Sequence, residues 1–127
     1  ERSGIASRVR FIGETDDVPR YLRDADLFLF PSRWEGMGAA VLEAMAAEVP
    51  ALASDLPPLR AAIPQELRLP PDAPDAWRDA IRAILGDPGR YVKMAQAYAA
   101  PVARRFNADH MADRYAEEYR KLLGAMK

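Results

Sequence analysis

Four consecutive apolar residues, Leu27-Phe28-Leu29-Phe30, stop at Pro31, and a helical pattern follows from Gly36 to Ala47. An unbroken apolar run of this kind suits a strand covered on both faces of a parallel sheet. The segment after it opens with small residues and then carries Val41, Leu42, Met45 and Ala46 at helical spacing. Val49 to Ala53 reads as a further strand. Pro57 to Ile63 reads as a short helix with proline in its first turns, and Leu67 to Leu69 as a short strand. Upstream, Val9 to Ile12, closed by Gly13, reads as the first strand of the series. Asp16-Asp17 then offers caps to a helix bearing Val18, Tyr21 and Leu22. Strands alternating with helices predict the α/β class, a Rossmann-like parallel sheet flanked by helices.

From Asp72 onward the pattern is helical throughout. Trp77, Ile81, Ile84 and Leu85 share one helical face. Gly86 is a natural stop and Asp87-Pro88 a natural restart. The next helix carries Val92, Ala95, Tyr98 and Val102 on one face, with a break or kink expected at Pro101. Asn107 can cap a last helix, where Met111, Tyr115, Tyr119 and Leu122 form an apolar stripe. Core packing is the expected use of that stripe.

Composition narrows the function. The 127 residues suit one domain, and a formal net charge of −1 supplies no field to draw nucleic acid or anionic lipid. The basic residues are scattered, so nucleic acid is not an expected partner. With no cysteine, the chain has no disulfide frame, thiolate nucleophile or Cys-ligated metal. No stretch is long enough to span a membrane as a helix, and the opening residues do not read as a signal peptide.

Chemistry concentrates between Pro31 and Met45. Glu35 precedes Gly36-Met37-Gly38, the helix starts there, and Glu43 lies within it, seven residues separating the two glutamates. The first amides of a helix lack partners inside it, and the dipole adds partial positive charge at that end. Gly36 and Gly38 remove side chains where a phosphate or sugar must approach the backbone. The site also falls at the carboxyl end of a parallel strand, where open α/β sheets bind ligands. Carboxylates accept hydrogen bonds from sugar hydroxyls, so amides for a diphosphate and carboxylates for vicinal hydroxyls is the natural division. An exposed Glu35 and a solvated Glu43 on an ordinary helix fit the same spacing.

Residues 9–13, 24–57 and 87–96 together resemble the C-terminal domain of the retaining, two-Rossmann (GT-B) glycosyltransferases called glycosyl transferases group 1. The resemblance runs from Val9 to about Leu123 and rests mainly on the Pro-Ser, Gly-x-Gly and paired-glutamate segment. It implies transfer of a sugar from a nucleotide diphosphate sugar to an acceptor with retained configuration and no essential metal or cofactor. It assigns Glu35 to the donor sugar, stabilising positive charge near the anomeric carbon, and Glu43 to the ribose hydroxyls. Backbone groups of Gly36, Met37, Gly38 and Ala39 would meet sugar and phosphate, with Gly13 and Glu14 near the nucleobase. Residues 1–127 would then be part of a donor-binding domain. The acceptor-binding N-terminal domain and the first two strands of the C-terminal domain would be missing, along with the Arg and Lys that neutralise the leaving diphosphate. In the family's sheet order those two strands separate Val9–Ile12 from Leu27–Phe30. The chain alone is therefore expected to be inactive and to expose sheet edges through which it could self-associate. The implied location is the cytoplasm, at the inner membrane face for a full-length protein.

The sequence departs from the family in two places. Glu48 stands where the family usually has glycine, so the helix before it is expected to end differently, because a non-glycine left-handed cap costs roughly 1 kcal/mol. The following loop, commonly Gly-rich with a glutamate, reads Leu56-Pro57-Pro58, with Ala61 near the glutamate position. Other candidates carry less. His110 is expected to be solvated or packed rather than catalytic, and Arg104-Arg105 to be a solvated face. Arg33 could reach a phosphate or lie on the surface, and Trp34 could stack on a ring or pack inside. Asp24 and Asp26 read as turn residues. Neither a hydrolase elbow nor a dinucleotide fingerprint is present. A non-catalytic nucleotide-binding or assembly module is the competing reading.

Overall fold

The computed structural model describes residues 4–125. Three parallel strands form one sheet in the order β1-β2-β3: β1 (Phe28–Phe30), β2 (Ala51–Ser54) and β3 (Arg68–Leu69). The register pairs Leu29 with Leu52 and Ala53 with Arg68. Helix α1 (Val18–Arg23) precedes β1, and α2 (Ala39–Ala46) lies between β1 and β2. After β3 come α3 (Pro74–Gly86), α4 (Pro88–Arg105) and α5 (Ala108–Ala125). The α/β class, the parallel sheet and the helical second half are as the sequence predicts.

Strand periodicity sends alternate residues of β2 to opposite layers. Ala51 and Ala53 meet Val41, Leu42 and Met45 of α2 and Val102 of α4. Leu52 faces the other way, into a cluster with Trp77 and Ile84 of α3. All four β2 residues are buried, as a central strand requires. The alanines let α2 pack close to the sheet, and each fully buried branched side chain such as Val41 contributes roughly 1.5–3 kcal/mol. Leu22 of α1 joins Ala44 and Val49 in a smaller cluster.

Several expectations are corrected. Val9–Ile12 is not a strand: these residues are irregular, and Phe11 is 94% exposed. A strand exists only by pairing, and no neighbouring strand reaches this segment among the described residues. β1 is not covered on both faces. It is an edge strand, with Phe28 and Phe30 packed toward the core and Leu29 41% exposed. The helix expected over Pro57 to Ile63 is one 3-10 turn, Pro57–Leu59, followed by a turn. Gly86 is the last residue of α3, and Asp87 takes the junction: its side chain accepts from the Arg90 amide and caps α4. Helix α4 is not broken at Pro101 and runs through it as a single element, since the missing donor falls in the last turns.

The stripe on α5 is also corrected. Asn107 caps the helix as predicted, its Oδ1 accepting from the His110 amide at 2.7 Å. Yet α5 has no buried residue, and Met111, Tyr115, Tyr119 and Leu122 are all exposed. The stripe gives the helix its amphipathic pattern, but nothing in the described chain covers it.

The end of α2 overturns another expectation. Glu48 adopts a left-handed φ of 62°. Its amide donates to Met45 O at 3.1 Å, and the Val49 amide donates to Ala44 O at 3.0 Å. These are the two reverse bonds of a Schellman cap, completed by the apolar contact of Val49 with Ala44. The helix thus keeps the glycine-type ending with glutamate in the glycine position.

Candidate donor site at the start of α2

β1 ends at Phe30, and Pro31 prevents its extension. Residues 31–38 form an irregular loop, so Gly36 and Met37 precede the helix rather than opening it. Gly38 is the N-cap of α2, with a left-handed φ of 72°. It is buried between three side chains. A Cβ there would lie 2.6 Å from Leu59 Cδ2, 3.3 Å from Val41 Cγ1 and 3.5 Å from Phe30 Cε1. Both conformation and space therefore demand glycine at this position. Gly36 differs, since a Cβ there would meet nothing within 4 Å and the fold leaves the position free. Only a close ligand would require glycine at 36.

The Gly38 carbonyl accepts from the Val41 and Leu42 amides at 3.2 and 3.3 Å. Gly38 has no side chain to cap the helix, and the Ala39 and Ala40 amides find no acceptor among the described residues. Both alanines are exposed. The start of α2 thus presents donors and the positive end of its dipole to solvent, the arrangement that binds anions.

Glu43 lies about one turn into α2 and is exposed. With Met37 and Ala39 it lines a small hollow of about 160 Å³, bordered by Val102 of α4 and by Phe106 just after it. Met37 also borders a larger hollow, about 480 Å³, shared with Arg105, His110 and Arg114. Glu35 is half-buried on the loop and lines neither of these. Met37, Ala39 and Glu43 thus share one hollow, which Glu35 does not line. Gly13 keeps a left-handed φ of 75°, but it and Glu14 are exposed and line neither hollow.

The flanking residues sort themselves. Arg33 pairs with Asp72 at 2.7 Å, an exposed ion pair on the surface. Trp34 is 91% exposed, so it is not core. His110 stands on the rim of the larger hollow rather than inside the protein.

Sequence reasoning missed a cluster beside the site. Asp55, at the exit of β2, receives both Nε and Nη2 of Arg60, at 3.0 and 3.1 Å, and also Arg68 Nη1. The Arg60 hydrogen bond is the main reason the Asp55 carboxyl is held below the usual aspartate range, and Arg68 adds to it. Glu66 is held low by the Tyr98 hydroxyl, which is itself raised by that carboxylate. Spacing could not pair residues 55 and 68, because only the parallel register of β2 and β3 brings them together.

Comparison with known proteins identifies the lineage. The sequence profile described as "Glycosyl transferases group 1" matches residues 1–87. The chain belongs to this family. Its group 1 relatives include a D-inositol 3-phosphate glycosyltransferase of Corynebacterium urealyticum, 32% identical over 96% of this chain and 30% of that protein. A lipopolysaccharide core biosynthesis mannosyltransferase of Rhizobium meliloti is 47% identical over 43% of this chain and 16% of its own length. Among solved structures, sucrose-phosphate synthase from Thermosynechococcus elongatus superposes with a TM-score of 0.86 at 32% identity, over 95% of this chain and 32% of that one. The fold is thus that of a GT-B glycosyltransferase domain. This group 1 chain spans about a third or less of each of these proteins. Among the described residues no helix is long and apolar enough to cross a membrane.

Proposed function

We propose that this chain binds the nucleotide diphosphate sugar of a retaining glycosyltransferase and does so at the start of α2. The observation that carries this reading is the pair of open amides on Ala39 and Ala40, set behind the left-handed Gly38 at the carboxyl end of β1. Family membership and the glycosyltransferase names of the relatives support it.

In this reading the amides of residues 36–39, with that of Ala40 beside them, receive the diphosphate and the sugar oxygens. Preorganised dipoles of this kind stabilise charge on a departing diphosphate without reorganising during the reaction. Glu43, on the hollow beside Met37 and Ala39, accepts hydrogen bonds from the ribose hydroxyls. Glu35, on the loop before the helix, faces the donor sugar and stabilises positive charge near the anomeric carbon. Gly13 and Glu14 lie near the nucleobase. The acceptor hydroxyl comes from a further domain, so the chain alone binds donor without turning it over. No metal or other cofactor takes part, and the work is done in the cytoplasm.

A melting series with UDP, GDP and ADP tests the reading. A nucleotide at 100 times its dissociation constant should add about 2.7 kcal/mol of stability. Glu43→Ala should remove that gain, and a chelator should leave it intact. If none of the three nucleotides shifts the melt, the competing assembly module becomes the better account.

A further inference from the structure

The turn after β2 reaches the donor end of α2. Pro57–Leu59 forms its 3-10 segment, and Leu59 is fully buried. One Leu59 methyl, Cδ2, stands 2.6 Å from where a Cβ on Gly38 would be, so it fills the space the glycine leaves. The open amides of Ala39 and Ala40 follow Gly38 directly in the chain. Gly38 cannot shift toward the turn without striking Leu59.

Leu59 is itself held from both sides. Asp55 precedes the turn and Arg60 ends it, joined by two side-chain hydrogen bonds of 3.0 and 3.1 Å. Arg68 of β3 binds the same carboxylate, and the Asp55 amide donates to Leu69 O at 2.7 Å. One carboxylate thus links the exit of β2, the turn and β3. Pro57 and Pro58 also fix two backbone φ angles within it.

We propose that Leu59 is a positioning residue for the donor loop: seated against Gly38 and held by the Asp55–Arg60–Arg68 cluster, it fixes the direction in which the Ala39 and Ala40 amides face a nucleoside diphosphate. The proposal rests on the reading of α2 as the donor site. Leu59 touches no substrate and acts through Gly38. A loop held in its bound direction loses less freedom when the ligand arrives, which raises affinity without adding a contact.

The test pairs two measurements on the chain and its variants Leu59→Ala, Leu59→Ile and Asp55→Asn. Hydrogen exchange reports the Val41 and Leu42 amides, which are bonded to the Gly38 carbonyl, and calorimetric titration reports UDP, GDP and ADP. In Leu59→Ala these two amides should exchange about tenfold faster while those of α3 keep their rates. Its dissociation constant for the nucleotide the wild type prefers should rise roughly tenfold. Leu59→Ile keeps the side-chain volume and should restore most of both, and Asp55→Asn should move both in the direction of Leu59→Ala. If Leu59→Ala folds with unchanged exchange at Val41 and Leu42, or binds nucleotide as tightly as the wild type, the positioning role is overturned. Should Leu59→Ala fail to fold, Asp55→Asn with unaltered exchange at Val41 and Leu42 overturns it instead. A wild type that binds none of the three nucleotides sinks the donor reading, while exchange at Val41 and Leu42 still decides whether Leu59 seats the turn.

Discussion

Gly38 and Glu48 hold nearly the same backbone conformation, φ 72° and 62°, at opposite ends of α2, yet the sequence fills them differently. At Gly38 the conformation and the Leu59 methyl both exclude a side chain. At Glu48 the side chain points into solvent, so only the conformational strain of a left-handed residue remains. Opposite outcomes follow from substitutions of opposite direction. Glu48→Gly should raise stability by about 1 kcal/mol, read as a higher urea midpoint at constant slope. Gly38→Ala should lower it by something on the order of 3 kcal/mol, the strain adding to the overpacking against Leu59. Equal midpoints for Glu48→Gly and the wild type would mean that the left-handed cap is not strained.

At the scale of elements, the cluster at Asp55 joins β2, the turn and β3 and makes that junction sensitive to acid. Its folded carboxyl is held below the ordinary aspartate range, chiefly by Arg60. A depressed folded value means the stabilisation is full above that range and is lost as the pH falls through the lower folded value. Asp55→Asn should therefore lose less stability than the wild type below about pH 4, measured as urea midpoints across a pH series. Glu66, held low by Tyr98, acts in the same sense, so some slope should remain. Identical pH profiles would remove the cluster from the stability account. Helix α5 gives a contrasting case. Tyr115 and Tyr119 are 59% and 62% exposed, so Tyr115→Ser with Tyr119→Ser should change the chain's stability by no more than about 0.5 kcal/mol at each site. A large loss would show that the stripe is covered in solution. These elements also show what the sequence could disclose. α2 was legible because its apolar residues, glycines and terminal signals all lie within one segment. The existence of α5 and its Asn107 cap were legible for the same reason. The burial of its stripe was not, since that depends on what else is present. Val9 to Ile12 carries every local mark of a strand and forms none, because pairing is supplied from elsewhere. The candidate site divides along the same line. Met37, Ala39 and Glu43 share a hollow because one helix start carries them, whereas the arrival of Leu59 beneath Gly38 needed the sheet to be assembled first.

The whole molecule presents an asymmetric sheet. β2 is buried along its length, while β1 is an edge whose Leu29 is partly exposed beside a groove of about 760 Å³ that also meets Trp77 and Ile81 of α3. Among the described residues β1 has a partner on one side only, so its outer side offers unpaired backbone donors and acceptors next to apolar surface, the combination that recruits another strand. Association of the chain with itself through β1 is the expected consequence, visible as a sedimentation coefficient that rises with concentration. Leu29→Lys should suppress the rise, because a lysine at the edge opposes strand addition by charge. The substitution leaves Phe28 and Phe30 in the core, so the melting temperature should barely move. A wild type that stays monomeric at every concentration, or a Leu29→Lys variant that associates equally, would show that β1 is not the adhesive edge. The exposed stripe of α5 would then be the surface to change next.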